Sequence, residues 1–184
     1  MTLLAERQRP LRRAEYERMV DAGLFQNERV ELIRGIIARM SPQKDAHAMV
    51  IQILTRLLVP GLVGRADVRV QLPFAIGEYS MPEPDLALVS VGRFGQPHPD
   101  RAFLIIEVAE TSLAEDRTEK AEVYAEAGVP EYWIVNVLDR TVEVHTEPSR
   151  GAYTRVTPFR IGQTLAPSAF PEVSLTVADL FSTS

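Results

Sequence analysis

The chain contains no cysteine, only three histidines (His47, His98 and His145) and only two lysines, Lys44 and Lys120, against 18 arginines. The missing cysteines exclude disulfides, thiolate zinc sites and thiol nucleophiles together. Three scattered histidines argue against a histidine-rich metal site, so the metal to expect is a hard cation held by oxygen ligands. No run approaches the ~18 consecutive apolar residues of a membrane span. In the opening MTLLAERQRPLRR the charge follows a short apolar run rather than preceding a long one. That is not a secretory pattern, and the expected location is cytoplasmic, without membrane attachment. Also missing are a Gly-rich phosphate loop, a Ser/His/Asp nucleophile signature and an aromatic run for stacking bases.

What is present points to a globular protein. A hydrophobic content of 46% over 184 residues excludes a disordered chain. The length suits one domain over 1–184, with its core at about 45–138. The formal charge of −5 argues against a non-specific nucleic-acid binder, which is normally basic.

Residues 12–21 carry a helical pattern, with Tyr16, Met19 and Val20 on one side and Gly23 as a stop. Val30 to Met40 predicts two short strands around Arg34-Gly35, ended by Ser41-Pro42. A helix is predicted from Asp45 to Val59. Its apolar stripe is Met49, Val50, Ile53, Leu54, Leu57 and Leu58, and Pro60-Gly61 ends it. Val68, Val70 and Leu72 alternate with Arg69 and Gln71, which predicts a half-buried strand over 67–76 with Gln71 pointing outward.

A short strand over 85–90 is entered through Pro82-Glu83-Pro84. Ala102 to Ala109 (AFLIIEVA) is almost continuously apolar, as in a central strand covered on both faces. Ser112-Leu-Ala-Glu115 reads as a capping box opening a helix to Ala127, closed by Gly128-Val129-Pro130. Tyr132 to Leu138 is a further strand. The segments 141–146 and 153–159 read as edge hairpins, with His145 an edge-strand residue, and 175–181 closes the chain. The strand–helix–strand step from Ala102 to Leu138 needs a crossover, hence a parallel pair in a mixed sheet. The expected class is α/β: a mixed sheet flanked by helices, with an N-terminal helix and hairpin and C-terminal β additions.

Three residues stand out chemically. Glu107 is a carboxylate on a buried strand, costly unless paired, hydrogen-bonded or metal-bound; alternatively it reaches water at the strand's end. Asp85 opens the preceding strand after Pro84, where a turn or cap aspartate is the alternative. Carboxylates from two adjacent strands at one sheet end would make the oxygen-lined pocket that Mg²⁺ or Mn²⁺ requires. At 100° per residue, Lys120 shares a helix face with Leu113, Val123, Tyr124 and Ala127, opposite Glu115, Glu119, Glu122 and Glu126. It therefore points towards the sheet, with Asp85 and Glu107 as partners, unless Asp116 four residues earlier takes it. Lys44, in a polar turn, has no such claim. Glu31 reads as the exposed phase of a hairpin or as a ligand. His47 reads as a solvated first-turn residue or as one near the cleft.

Several motifs together resemble one family. They are Glu31-Leu-Ile-Arg-Gly35, Met40-Ser-Pro42 with His47 after it, Pro84-Asp85, Glu107-Val-Ala-Glu-Thr-Ser112, Asp116-x-x-x-Lys120-x-x-x-Tyr124 and Gly128-Val-Pro-Glu-Tyr-Trp133. Across about Arg12 to Phe181 the chain resembles the Uma2 family, bacterial proteins described as restriction endonucleases. The resemblance implies a restriction-endonuclease-like, PD-(D/E)xK core with Asp85 and Glu107 as metal ligands. The superfamily lysine two residues after Glu107 is here Ala109, and in this family its counterpart is on the following helix, at Lys120.

The function so implied is Mg²⁺- or Mn²⁺-dependent hydrolysis of phosphodiester bonds in nucleic acid, DNA in the first instance. Asp85, Glu107 and the backbone carbonyl near Val108 would hold the metal, and Lys120 would orient water or stabilise charge. Glu31 or His47 would supply a supporting or base role. Arg65, Arg69, Arg93 and Arg117 would track the backbone, and a homodimer would suit a nuclease that cuts duplexes. The competing readings are a catalytically inactive nuclease-fold module for protein interaction or nucleic-acid binding, and an RNA-directed or repair nuclease that needs a partner.

Overall fold

The computed structural model describes residues 9–93 and 95–182. The first eight residues, part of the segment read above as non-secretory, lie outside the described residues. Helix α1 (Arg13–Asp21) leads to the hairpin of β1 (Val30–Ile33) and β2 (Ile36–Arg39). Helix α2 (Asp45–Leu62) precedes β3 (Asp67–Val70), β4 (Leu86–Val89) and β5 (Leu104–Ala109). The next helix comes in three pieces: α3 (Leu113–Glu115), a π-helical turn (Asp116–Lys120) and α4 (Ala121–Glu126). Then follow β6 (Glu131–Asn136), β7 (Thr141–Ser149), β8 (Ala152–Phe159) and a short β9 (Thr164–Leu165) and β10 (Leu175–Thr176) pair with a final 3₁₀ turn.

Six strands form one mixed sheet in the order β3-β4-β5-β6-β7-β8. All pairs are antiparallel except β5 with β6, the crossover pair that the apolar strand–helix–strand pattern predicts. Side chains alternate across a strand, so each strand serves two cores. Leu104, Ile106 and Val108 pack with α2 and the C-terminal segment. Ile105 and Ala109 pack on the other face with Ala121 and Tyr124 of α4. Glu107 belongs to this second face.

The register sets up the rest. Leu86 lies opposite Ile106 and Ala87 opposite Ile105. One step further along the antiparallel pair places Asp85 across from Glu107, on the same face. There Asp85 accepts from the Val108 N–H and Glu107 accepts from the Asp85 N–H.

Several local expectations fail for identifiable reasons. On α1 Tyr16 is buried but Val20 is 48% exposed, because only one residue of that face meets the β1–β2 hairpin. Helix α2 runs through Pro60 to Leu62. Leu58 and Leu62 are anchored in the core, and Gly61 is so close to Val173 that a Cβ would lie 2.8 Å from its Cγ2. On α2 Met49 is 54% exposed, while Ile51 joins the buried stripe.

The strand expected over 67–76 stops at Val70, because Gln71 turns to φ +50° and its N–H donates to the Asp85 carbonyl at 3.1 Å. The capping box at Ser112 does not form: the serine hydroxyl donates instead to Asp116 Oδ2 at 2.6 Å. A buried carboxylate needs that donor more than a helix terminus does. Gly128, at φ +71°, does close the helix, and Val129 N–H returns to the Tyr124 carbonyl. His145 is buried rather than an open edge residue, set between Tyr132 and Tyr153. Among the described residues, no helix is long and apolar enough to cross a membrane.

Candidate active site

A cleft of about 90 Å³ opens where β4 and β5 diverge, and Glu31, His47, Asp85, Glu107, Val108 and Lys120 all line it. Asp85 stands immediately before β4, the buried middle of β5 supplies Glu107, and the π turn supplies Lys120. A π turn adds a residue to the helical repeat and is frequent at functional sites. Here Asp116 and Lys120 are its two buried members.

Lys120 Nζ donates to Glu107 Oε1 at 3.1 Å and lies 3.4 Å from Glu31 Oε1. Tyr124 Oη donates to the same Glu107 oxygen at 2.8 Å. Glu107 Oε2 accepts the Asp85 N–H at 3.3 Å, and Asp85 Oδ2 accepts the Val108 N–H at 2.8 Å. His47 Nε2 lies 3.0 Å from Asp85 Oδ2, and Gln71 Nε2 donates to Asp85 Oδ1 at 3.1 Å. Glu31 Oε2 accepts the Glu83 N–H at 3.1 Å.

The charges are unequal. Glu31, Asp85, Glu107 and Asp116 are buried carboxylates, and Lys120 is the one buried ammonium beside them among the described residues. Burial pushes Glu107 well above the ordinary carboxylate range; Lys120 pulls it back only in part, and the neighbouring carboxylates push it further up. Burial likewise raises Asp116, to about 6, against the pull of Lys120. Burial also works against the charged form of Asp85, but His47, the Val108 N–H and Gln71 outweigh it and leave Asp85 below its ordinary value. Burial opposes the Lys120 charge too, yet Glu107, Glu31 and Asp116 hold it above the ordinary lysine value. His47 follows the same logic: burial lowers it, and Asp85 first among its acidic neighbours more than restores it.

This arrangement fits a hard divalent cation. The donors are carboxylate oxygens of two adjacent strands beside the Val108 backbone, and negative charge is in excess. Two buried polar atoms lining the cleft, His47 Nδ1 and Glu110 Oε2, have no hydrogen-bond partner. Among the described residues no three His, Cys, Asp or Glu side chains form a ready-made ligand cluster. Asp85 and Glu107 are the carboxylates that would hold such an ion, with cleft space beside them for the waters that Mg²⁺ keeps.

All five side chains singled out from the sequence meet here. Glu31 is buried rather than the exposed phase of its hairpin, because all four β1 residues are covered. Lys120 pairs with Glu107 and Glu31, while Asp116 takes Ser112 as its donor. Three residues escaped the sequence reading. Gln71 gave no signal, since alternation points it outward. Tyr124 did give one, sitting four residues after Lys120 on the same face. Lys44, set aside as a turn residue, lines the cleft and pairs with Glu110 at 3.4 Å. The four arginines expected to track a backbone are not among the cleft-lining residues. Arg65 pairs with Glu172, Arg117 with Glu143, and Arg69 donates to the Pro73 carbonyl.

Comparison with known proteins decides the family. Residues 13–178 match the family model of Uma2, described as "Putative restriction endonuclease". The chain belongs to the Uma2 family. Among solved structures, this Uma2 protein is similar to a crystal structure from Anabaena variabilis described as a putative nuclease belonging to DUF820. The likeness has a TM-score of 0.68 at 16% identity and covers 88% of this chain and 96% of that one. At that identity the likeness of this Uma2 protein concerns the fold alone, the mixed sheet with its flanking helices. No curated protein matches.

Proposed function

We propose that this Uma2 protein is a Mg²⁺- or Mn²⁺-dependent endonuclease that hydrolyses phosphodiester bonds in DNA, with Asp85, Glu107 and Lys120 as its centre. One observation carries the reading: a lysine amine, buried and 3.1 Å from a buried glutamate, completes a two-carboxylate pocket at a sheet end. Family membership supports a nuclease, and the restriction-endonuclease description of the family favours DNA.

Asp85, Glu107 and the Val108 carbonyl would hold the metal. When bound it supplies Lewis-acid activation of water and neutralises phosphate charge. Lys120 is held as an ammonium, so it donates: it orients the attacking water and offsets charge growing on the phosphate oxygens. As the water oxygen bonds to phosphorus and the bond to the leaving sugar oxygen breaks, a proton must leave the water. Glu31, 3.4 Å from Lys120, would take it, and the leaving sugar oxygen would be protonated from solvent. His47 and Gln71 grip the two Asp85 oxygens and fix their direction. A homodimer would bring two such centres to the two strands of a duplex.

The test is cleavage of DNA and RNA with Mg²⁺ or Mn²⁺ by wild type, Asp85→Asn, Glu107→Gln and Lys120→Met. Activity on DNA, lost in all three folded variants, is the expected result. A wild type that cuts neither nucleic acid would overturn the proposal in favour of a non-catalytic module. Independently of activity, saturating Mn²⁺ should stabilise the wild type by roughly 3 kcal/mol at a hundredfold excess over Kd. Asp85→Asn should lose most of that stabilisation.

A further inference from the structure

We infer that Lys44 grips the phosphate backbone of the substrate strand at the mouth of the cleft, and that Glu110 holds its place until the strand arrives. The inference rests on the nuclease reading above and names how that site takes hold of its substrate.

This chain uses arginine 18 times and lysine twice, and both lysines line the same cleft. Lys120 is buried at its floor, whereas the Lys44 side chain is 62% exposed at its rim. Lys44 comes from the segment just before α2 and Glu110 from the segment just after β5. Their 3.4 Å ion pair therefore joins the two walls between which a strand must pass.

The pair is built to give way. Its lysine is exposed, so its Coulomb energy is small and screened. Glu110 Oε2 is buried without a partner, so the carboxylate is only half satisfied by the contact. A phosphodiester brings anionic oxygens on both sides of the cation and displaces it. Residue type matters as well. A guanidinium would clamp Glu110 through two parallel hydrogen bonds, while an ammonium on a flexible stem makes a point contact and can follow a phosphate. Arg39, also on the rim, shows the contrast: two of its nitrogens are held by Glu28 Oε2, at 3.1 and 3.0 Å.

The probe is a short fluorescein-labelled oligodeoxynucleotide, single-stranded or duplex, bound with Ca²⁺ in place of Mg²⁺ and followed by anisotropy across a salt series. For wild type, log Kd against log salt gives a slope that counts phosphate contacts. Lys44→Ala should weaken binding several-fold and flatten that slope by about 0.7 on a single strand or about 0.9 on a duplex. Lys44→Arg, with its guanidinium clamped on Glu110, should bind less tightly than wild type, and Glu110→Gln should tighten binding by freeing the lysine. In Mg²⁺, Lys44→Ala should raise KM by a larger factor than it lowers kcat. If wild type binds and cuts but the slope is the same in Lys44→Ala, this inference falls while the nuclease reading stands. If wild type neither binds nor cuts the oligonucleotide, both fall together.

Discussion

Tyr124 donates its hydroxyl to Glu107 Oε1 at 2.8 Å, the same oxygen that accepts from Lys120 at 3.1 Å. A single carboxylate oxygen inside the protein thus has two donors, one neutral and one charged. Its partner oxygen receives only a long backbone contact of 3.3 Å. Glu107 is held hard on the helix side and left lightly held on the Asp85 side, where a cation would sit.

Replacing Tyr124 by phenylalanine should separate these two jobs. The ring still fills its place against Tyr132, but the buried Glu107 loses one of the two donors on Oε1. We expect a loss of about 1–3 kcal/mol in stability, measured by urea denaturation. Nuclease activity should fall while retaining its metal requirement.

Lys120→Met should be more damaging. It leaves Glu31, Glu107 and Asp116 without their shared cation, and breaking a buried pair of this kind costs about 3–5 kcal/mol. Adding Glu107→Gln should recover part of that stability but none of the activity, which a double-mutant cycle would show. For a folded protein we expect cleavage to drop by about 10²–10³-fold, the usual scale for a charge-stabilising donor.

Asp116 predicts a pH dependence. Burial raises its carboxyl from the ordinary 3.8 to about 6. The folded state therefore holds the proton more tightly than the unfolded chain does. This contribution to stability is fully present below about 3.8 and is lost as pH rises through about 6. Asp116→Asn keeps an acceptor for the Ser112 hydroxyl and removes the titration. In chelator, the variant should gain on wild type between pH 4 and 7, by an amount on the order of 2–3 kcal/mol. Urea midpoints at several pH values would check this; a constant difference would refute it.

Much of the protein was legible locally. The continuous apolar run of β5 announced a strand covered on both sides, and the glutamates of 115–126 marked the wet face of the next helix. From that face alone Lys120 had to point inward. The crossover then required β5 and β6 to be parallel. These inferences hold because periodicity is a property of neighbouring residues, which water and a core sort by face.

Pairing across long sequence separations was decided only by the tertiary structure. Gln71 reaches Asp85 because its backbone leaves the β region at φ +50° and breaks the alternation that pointed it outward. Glu31 is buried because Lys120 and the Glu83 backbone meet it on the cleft side of its hairpin, contacts that no pattern within Val30–Ile33 encodes. The π turn displaced the expected capping box because Asp116, once buried, needed the Ser112 hydroxyl for itself. Sequence determined which residues must leave water. The folded chain determined which partners they met, since the cost of burying a charge depends on what surrounds it in space.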